Sequence, residues 1–451
     1  MSQQIEIDAA SLIARIESVP FSRWHTKARV IVGSATFFDA LNALSLAFAL
    51  PVLIGLWHMT PAQSGLLIGS SYAGQLIGAL LFSSLAEKFG RIGSAAAATA
   101  LMSVMSLGCA IAGSFPALFA CRLVQGIGVG GEMPVAAAYI SELSKAQGRG
   151  RFFMLYEMIF PVGLMATGQI GAWVVPAFGW KAMFLVGGIP GLIVTFLLAR
   201  LPESPRWLIS KGRLGEAELI IKQIEASTPH RVPSMAQNAP AMPSPMQKTR
   251  WSEVLEHTYR SRTLIVWVLW ATAYFVTNSL NNWLPSLYST VYHLELRQSL
   301  RAASMTNVAQ VVVLLGCAFC IDRIGRKHWT VASLLAGAAA LLLLGLIGAQ
   351  SVRSVMVLAT LSYGIIGSVN AVLYLYTPEI YPTRMRAIGT GIATSWLRLA
   401  SAIGPLIVGV MVGAKGTSSV FLMFAVTAVV GALAATRMIE TRARRLEDIA
   451  V

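Results

Sequence analysis

The chain has 451 residues, of which 55% are hydrophobic and only 12% are charged, and its mean hydropathy is +0.65. This composition excludes a soluble globular protein, because a soluble domain of this length does not contain so much apolar sequence. Apolar stretches of about 20 residues, each able to cross the roughly 30 Å hydrocarbon core of a bilayer, recur along the chain. The sequence therefore predicts an all-α membrane protein, because the backbone polar groups of a spanning segment must be satisfied internally.

Twelve membrane spans are predicted in chain order. They cover residues 30–54, 62–85, 94–112, 117–141, 152–175, 182–199, 263–289, 302–321, 328–350, 354–377, 387–413 and 417–436. These spans divide the chain into five segments. They are a cytoplasmic N-terminal segment (1–29), a first six-helix bundle (30–199), a cytoplasmic linker (200–262), a second six-helix bundle (263–436) and a cytoplasmic tail (437–451).

The net charge of +15 is distributed unevenly between the two sides of the predicted membrane. With both termini on one side, the opposite side holds only the basic residues Lys181, Arg297, Arg301, Arg353 and Lys415. Arg122 and Arg398 lie within spans, and every other Lys and Arg lies on the side of the termini. Because cytoplasmic loops are enriched in Lys and Arg, we expect both termini to be cytoplasmic. This distribution is therefore a signal of membrane topology and does not indicate a surface that binds nucleic acid.

Two pairs of similar motifs indicate that the chain is an internal duplication. "GALLFSSLAEKFGRIG" at 78–93 resembles "GCAFCIDRIGRK" at 316–327, and "YISELSKAQGRG" at 139–150 resembles "YTPEIYPTRMRAIG" at 376–389. The two offsets are 235 and 237 residues. Two motifs repeated at nearly one offset predict two six-helix pseudo-repeats.

The repeated motifs carry acids and bases at matching positions near predicted helix ends. The corresponding pairs are Glu87 and Asp322, Arg91 and Arg326, Glu142 and Glu379, and Arg149 and Arg386. Acid–base pairs between neighbouring segments can hold helices together in one state and break in another. We expect a gating role for these eight residues, and the alternative is ordinary basic charge in cytoplasmic loops.

Several motifs resemble the major facilitator superfamily. "AEKFGRIG" and "IDRIGRK" are similar to its G-x-x-x-D-[RK]-x-G-[RK] signature. "RLVQGIGVGGE", "PESPRWL" and "YTPEIYPTRMRAIGTG" resemble the branch of sugar porters and organic-ion transporters, with the greatest likeness to bacterial nicotinate transporters. The resemblance extends from about residue 12 to residue 440. It implies the fold of a twelve-helix transporter with a central cavity between two bundles.

Ionisable residues within membrane spans are candidates for function because they are costly to bury. Asp39 lies in the first span, and Arg122, Gln125 and Glu132 form one stripe on the fourth. The resemblance to proton-coupled sugar porters implies that Asp39 and Arg122 form a proton-coupling pair. Two alternatives stay open: Glu132 could carry the proton or cap a backbone turn, and Asp39 could be a neutral structural carboxyl.

Arg398 is predicted to lie near the middle of the eleventh span, on a polar stripe that lines a cavity. A guanidinium presents a planar fork that suits a carboxylate. The resemblance to organic anion transporters likewise implies that Arg398 binds an anionic substrate. The alternative is a salt bridge within the protein.

The remaining cavity residues are expected on facing stripes of the other spans. Aromatic faces together with amide groups suit a small flat ring. The predicted substrate-binding residues are Tyr274, Asn278 and Asn281 in the seventh span, Gln310 in the eighth, Asn370 and Tyr374 in the tenth, Trp396 and Arg398 in the eleventh, and Gln125 in the fourth.

These residues predict proton-coupled uptake of a small aromatic monocarboxylate, with nicotinate as the first candidate. The alternatives are a benzoate-like acid, a sugar, efflux of drugs or organic ions, and a membrane sensor that transports nothing. We expect no enzymatic activity, no cofactor and no metal. The expected partners are the organic anion, protons and the lipid bilayer, and the expected location is the bacterial inner membrane, as a multi-pass monomer.

Overall fold

The structure is a computed structural model that describes residues 8–143, 158–227, 251–347, 351–382 and 385–442. These residues form fourteen α-helices and one short 3-10 helix (Trp251–Leu255). The first seven helices are α1 (Ala9–Ser18), α2 (Arg23–Trp57), α3 (Pro61–Phe89), α4 (Arg91–Ile111), α5 (Phe115–Leu143), α6 (Ile159–Phe178) and α7 (Trp180–Ala199). The other seven are α8 (Pro205–Ser210), α9 (Leu214–Ala226), α10 (His257–Thr290), α11 (Leu296–Ile324), α12 (Arg326–Ile347), α13 (Val352–Glu379) and α14 (Arg386–Ala435).

Ten helices of the described ranges are long and apolar enough to cross a membrane. One of them, α14, extends over 50 residues, but Gly416 interrupts it with φ 75° and ψ 176°. Such a conformation is accessible almost only to glycine. The 29-residue helix α5 is outside the ten and carries Arg122 and Glu132. The all-α fold is confirmed, whereas the twelve spans and the cytoplasmic termini stay predictions.

Several helices extend further toward the predicted cytoplasm than the apolar segments of the sequence. Helix α2 begins at Arg23 and α10 begins at His257, before the predicted spans at 30 and 263. Helical hydrogen bonding continues into water as long as the backbone allows it, so hydropathy marks only the apolar part of a helix. A helix end that is capped by residues close in the chain can be recognised more directly in the sequence. At the start of α3, the Thr60 hydroxyl accepts from the Gln63 N–H and the Gln63 side chain accepts from the Thr60 N–H.

The spanning helices form two groups that pack against each other along two main seams. In the first group α3 and α4 pack on α5, and α6 and α7 pack on α2. In the second, α10 and α12 pack on α14, and α11 packs on α13. The groups meet where α3 contacts α14 and where α6 contacts α11, with a smaller contact between α2 and α10.

The α3–α14 seam depends on glycines that allow the backbones to approach closely. A Cβ atom at Gly65 would overlap the Pro405 carbonyl oxygen, and one at Gly409 would overlap the Pro61 carbonyl oxygen. Trp283 Nε1 also donates to the Pro405 carbonyl at 3.1 Å. Small residues at such crossings are typical of membrane helices. The two groups are therefore tightly closed at the end of the molecule that holds Pro61 and Pro405.

Helices α1, α8 and α9 form a small separate layer. Leu12 and Val19 pack with Trp207 and Ile221 in one apolar cluster. Arg15 binds the Glu225 carboxylate through Nε at 2.9 Å and Nη2 at 2.7 Å. This contact joins the N-terminal helix to the segment between the two groups of spans.

Candidate functional site

The first charge cluster, which consists of Glu87, Arg91 and Glu142, lies at the junction of α3, α4 and α5. Arg91 Nη2 is 2.8 Å from Glu87 Oε1, and its Nε donates to Glu142 Oε1 at 3.0 Å. Glu87 is 70% exposed, so its share of the cluster is well screened by water. The contact of Arg91 with Glu142 is less exposed to water than its contact with Glu87, and it joins α4 to α5.

The second charge cluster, which consists of Asp322, Arg326 and Glu379, repeats this arrangement at α11, α12 and α13. Arg326 Nη1 is 2.9 Å from Asp322 Oδ1, and its Nη2 is 3.5 Å from Glu379 Oε1. Both clusters join helices within one group of spans. Arg386 forms no ion pair with this cluster among the described residues and donates to the Tyr381 carbonyl instead. Arg149 lies outside the described residues.

Glu203 caps the start of α4, a role that the sequence reasoning missed. Its carboxylate accepts from the backbone N–H of Arg91 at 2.9 Å and of Ile92 at 3.1 Å. Gly90 precedes this helix with φ 108°, and a Cβ there would overlap the Glu203 carboxylate. An anion at a helix N-terminus satisfies free N–H groups and complements the helix dipole. Glu203 therefore holds the first charge cluster in position.

Glu440 caps the start of α12 in the same way as Glu203 caps α4. It accepts from the backbone N–H of Arg326 at 3.0 Å and of Lys327 at 3.1 Å, next to Gly325 with φ 94°. Glu440 follows Glu203 by 237 residues, the same offset that relates the second motif pair. "LPES" at 201–204 and "MIET" at 438–441 were the available sequence signal.

The two capping carboxylates differ in their pKa values. Burial raises the pKa of Glu203 above its ordinary value, although its backbone donors oppose this effect. Burial acts in the same direction on Glu440, but the backbone N–H groups of Arg442, Arg326 and Lys327 outweigh it and lower its pKa. The two caps are thus similar in geometry and different in electrostatic stability.

Arg398 lies on α14 with only 9% of its surface exposed. Its Nη1 donates to the Thr394 carbonyl of the same helix at 3.3 Å, and it forms no ion pair with any acid of the described residues. Tyr274, Tyr374 and Asp39 lie within electrostatic range of its guanidinium. The salt bridge considered as an alternative role is therefore not formed in this structure.

An aromatic wall of Trp267, Trp270, Tyr274, Tyr374 and Trp396 lies on the helices beside Arg398. Trp270 stacks on Tyr274 at 5.4 Å and meets Tyr374 edge-on at 4.7 Å. Trp267 contacts Trp396 with ring centroids 5.4 Å apart. Trp267 Nε1 is buried without a hydrogen-bond partner among the described residues. A cation beside a wall of rings can hold a flat anion by charge and by stacking.

The predicted amides divide into two sets. Asn278 donates to Ser401 Oγ, and Asn370 donates to Thr277 Oγ1 at 3.1 Å, while Asn370 Oδ1 has no partner among the described residues. These two contacts join α10 to α14 and α13 to α10.

Asn281 and Gln310 are the second set, and their main contacts are with other protein groups. Asn281 and Asn307 exchange side-chain hydrogen bonds at 3.2 Å and 3.1 Å, and Tyr363 donates to Gln310 Oε1 at 3.0 Å. The network joins α10, α11 and α13 within the second group of spans.

Arg122 and Gln125 form a buried network with α2. Arg122 Nη1 donates to the Asn42 carbonyl at 3.0 Å and to Gln125 Oε1 at 2.6 Å, and Gln125 Nε2 donates to Asn42 Oδ1 at 3.0 Å. Arg122 is only 1% exposed and forms no ion pair with Asp39. The structure thus brings Arg122 beside Asn42, one helical turn beyond Asp39.

Asp39 and Glu132 lie close together between α2 and α5. They are 2% and 0% exposed. Thr36 Oγ1, one turn before Asp39 on α2, donates to Glu132 Oε1 at 3.1 Å. Asp39 lies within electrostatic range of Glu132 and of Arg398. Asp39 and Arg398 form no ion pair among the described residues.

Comparison with known proteins identifies the family of this chain. Residues 31–451 match the family described as "Sugar (and other) transporter". The chain is 33% identical to the niacin transporter NiaP of Acinetobacter baylyi over 97% of this chain and 99% of that one. It is 26% identical to the 4-hydroxybenzoate transporter PcaK of the same organism over 96% of this chain and 94% of that one.

A solved structure of similar fold is the partially occluded inward-open xylose transporter XylE of E. coli. It superposes with a TM-score of 0.75 at 20% identity and covers 94% of this chain and 100% of its own. The fold, the family match and the relatives agree on a multi-pass membrane transporter and not an enzyme. The chain belongs to the sugar (and other) transporter family of the major facilitator superfamily.

Proposed function

We propose that this chain takes up a small aromatic monocarboxylate, with nicotinate as the first candidate, together with protons by alternating access. Twelve spans in two six-helix bundles, both termini in the cytoplasm and a monomer in the bacterial inner membrane belong to this proposal. The ten apolar helices, the break at Gly416 and the additional helix α5 support the span count.

The observation that carries the proposal is a buried arginine beside aromatic rings. Arg398 has no acid at ion-pair distance among the described residues, although a buried unpaired cation is costly. Tyr274 and Tyr374 lie within range of its charge. A bound carboxylate satisfies Arg398, while the ring attached to it packs against the aromatic wall.

Trp267 favours nicotinate over benzene carboxylates. Its indole N–H is buried and lacks a partner among the described residues. The pyridine nitrogen of nicotinate is an acceptor that benzoate lacks. A benzoate-like acid is the second candidate, supported by the similarity to a 4-hydroxybenzoate transporter.

Binding to the purified protein tests the proposal. Wild-type protein should bind nicotinate in isothermal titration calorimetry, and the neutral amide nicotinamide should neither bind as well nor compete. Replacing Arg398 with alanine should weaken nicotinate binding by about a hundredfold or more, because it removes a charge-assisted carboxylate contact. Arg353→Ala, at an exposed arginine near the start of α13, is the matched control and should bind like wild type. Equal affinity for nicotinate and nicotinamide would contradict a carboxylate site.

A further inference from the structure

An open groove of about 460 Å³ lies between the start of α10 and the end of α14. Its apolar lining consists of Leu264, Ile265 and Val268 of α10 with Leu433 and Ala434 of α14. The polar residues of its lining are Thr436 and Arg437, and no acid of the described residues lines it. Neither Arg398 nor the aromatic wall contributes to the groove. It is therefore a second cavity, separate from the candidate substrate site.

The walls of the groove continue into a strip of exposed apolar side chains. Leu264 is 44% exposed and Leu433 is 63% exposed. Val426 and Val430 precede Leu433 by seven and three residues, so they share its face of α14, and both are exposed. In a membrane transporter such a strip contacts the acyl chains of lipids, because water is absent from the hydrocarbon core.

Two arginines lie at the predicted cytoplasmic end of the groove. Arg437 lines it directly and follows Leu433 by four residues. Arg260 precedes Leu264 by four residues on α10, so the two side chains share a face. Both arginines are exposed, and neither forms an ion pair among the described residues. They lie just outside the predicted spans that begin at 263 and end at 436, which is the level of the lipid headgroups.

A phospholipid with an anionic headgroup matches both parts of the groove. Its phosphate accepts charge-assisted hydrogen bonds from a guanidinium, which binds phosphate through two parallel N–H groups. Its acyl chains match the apolar strip along Leu264 and Leu433. A zwitterionic lipid carries a cation next to its phosphate, and the two arginines repel that cation. The charge of the groove therefore favours an anionic lipid over a zwitterionic one.

We propose that this groove binds one anionic phospholipid of the cytoplasmic leaflet. The phosphate lies between Arg260 and Arg437, and an acyl chain lies along the apolar lining between α10 and α14. The site is formed entirely by the second group of spans, so it does not depend on the identity of the transported substrate.

Native mass spectrometry of the full chain in detergent tests the proposal, with phosphatidylglycerol as the anionic probe and phosphatidylcholine as the zwitterionic one. The wild type should bind one phosphatidylglycerol about tenfold more tightly than phosphatidylcholine. Arg260→Gln and Arg437→Gln should each raise the Kd for phosphatidylglycerol about fivefold, and the double variant about twenty-five-fold, because each basic residue at the membrane surface contributes separately. The Kd for phosphatidylcholine should change little.

Two further variants separate the groove from the general surface charge. Arg23→Gln combined with Arg323→Gln removes two exposed arginines on the same predicted side of the membrane, and it should bind phosphatidylglycerol like wild type. Val268→Trp fills the groove and keeps both arginines, so it should lose the tightly bound lipid.

Equal affinity of the wild type for the two lipids would overturn the proposal. An equal loss in the Arg23 and Arg323 control, or unchanged binding in Val268→Trp, would overturn it as well. Displacement of the lipid by inorganic phosphate at the same concentration would make the arginines a site for free anions and not for a lipid. A wild-type dimer that dissociates in Arg437→Gln would make the groove a subunit interface instead.

Discussion

Single side chains explain how this protein accommodates charge inside a membrane. Arg122 Nη1 donates to oxygen atoms of Asn42 and Gln125, so its role in this structure is to join α5 to α2, although its Nε has no partner among the described residues. Arg398 has only one carbonyl of its own helix. An arginine within the bilayer costs a few kcal/mol or more. Arg398, which donates to a single carbonyl, is therefore the arginine that a ligand can satisfy.

Trp267 should determine the preference for a pyridine ring. A buried donor without a partner costs about 1–3 kcal/mol, and an acceptor on the ligand removes that cost. Trp267→Phe keeps an aromatic ring next to Trp396 and removes the indole N–H together with part of the ring surface. We expect the Kd for nicotinate to rise about tenfold and the Kd for benzoate to stay nearly constant, measured by calorimetry on both ligands. An equal loss for both ligands would assign Trp267 a packing role only.

Helical periodicity predicts which side chains share a face but not what that face contacts. The sequence predicts one stripe for Arg122, Gln125 and Glu132, and in the structure the first two both contact Asn42 of α2. The sequence could not show that Arg122 contacts Asn42 while Glu132 contacts Thr36, because the relative shift of two helices depends on their packing. For the same reason it could not show that Asn281 and Gln310 bond within the second group of spans.

Helix ends repeat between the two groups more closely than the sequence suggests. A glycine with positive φ, an arginine, and a distant glutamate occur at the start of both α4 and α12. Hydropathy could predict these helices because their apolar segments are long. It could not predict the caps, since Glu203 and Glu440 are more than one hundred residues away in the chain from the N–H groups they bind.

The two caps should respond differently to acid. The pKa of Glu440 is lowered in the folded state, so its stabilisation is present above its ordinary pKa and is lost as the pH falls through the folded value. The pKa of Glu203 is raised by burial, so its contribution improves as the pH falls. Glu440→Gln should therefore destabilise the protein at pH 7 by about 0.5–2 kcal/mol, the usual range for a lost cap, and Glu203→Gln by less.

Thermal unfolding of detergent-solubilised protein measures this contrast. The difference in Tm between wild type and Glu440→Gln should narrow on acidification, and the difference for Glu203→Gln should not. Glu440→Gln and Glu203→Gln make the same chemical change at equivalent helix ends, so each variant is the control for the other. An identical pH response of both would show that the caps are electrostatically equivalent.

The whole chain consists of two groups of helices that meet at two related seams. The α3–α14 seam is closed by glycines and by the Trp283 contact, and the α6–α11 seam by a hydrogen bond from Gln169 to Ser304 at 3.2 Å. Each charge cluster lies within its own group among the described residues. Under the proposed alternating access, one group would rock against the other.

Transport by purified protein in liposomes tests the central claim, which is proton-coupled uptake of a monocarboxylate. One proton moved with one monoanion is electrically neutral, so only the proton gradient drives accumulation. A gradient of one pH unit, alkaline inside, supplies about 1.4 kcal/mol and should accumulate labelled nicotinate about tenfold. A membrane potential imposed without a pH gradient should have no effect, and Arg398→Ala should accumulate none.

The measurement is the ratio of internal to external nicotinate at steady state under each gradient. The ratio in the wild type should follow the pH gradient and fall to unity when a protonophore is added. A ratio that stays at unity in the wild type, or that follows the membrane potential alone, would contradict proton-coupled uptake of a monocarboxylate.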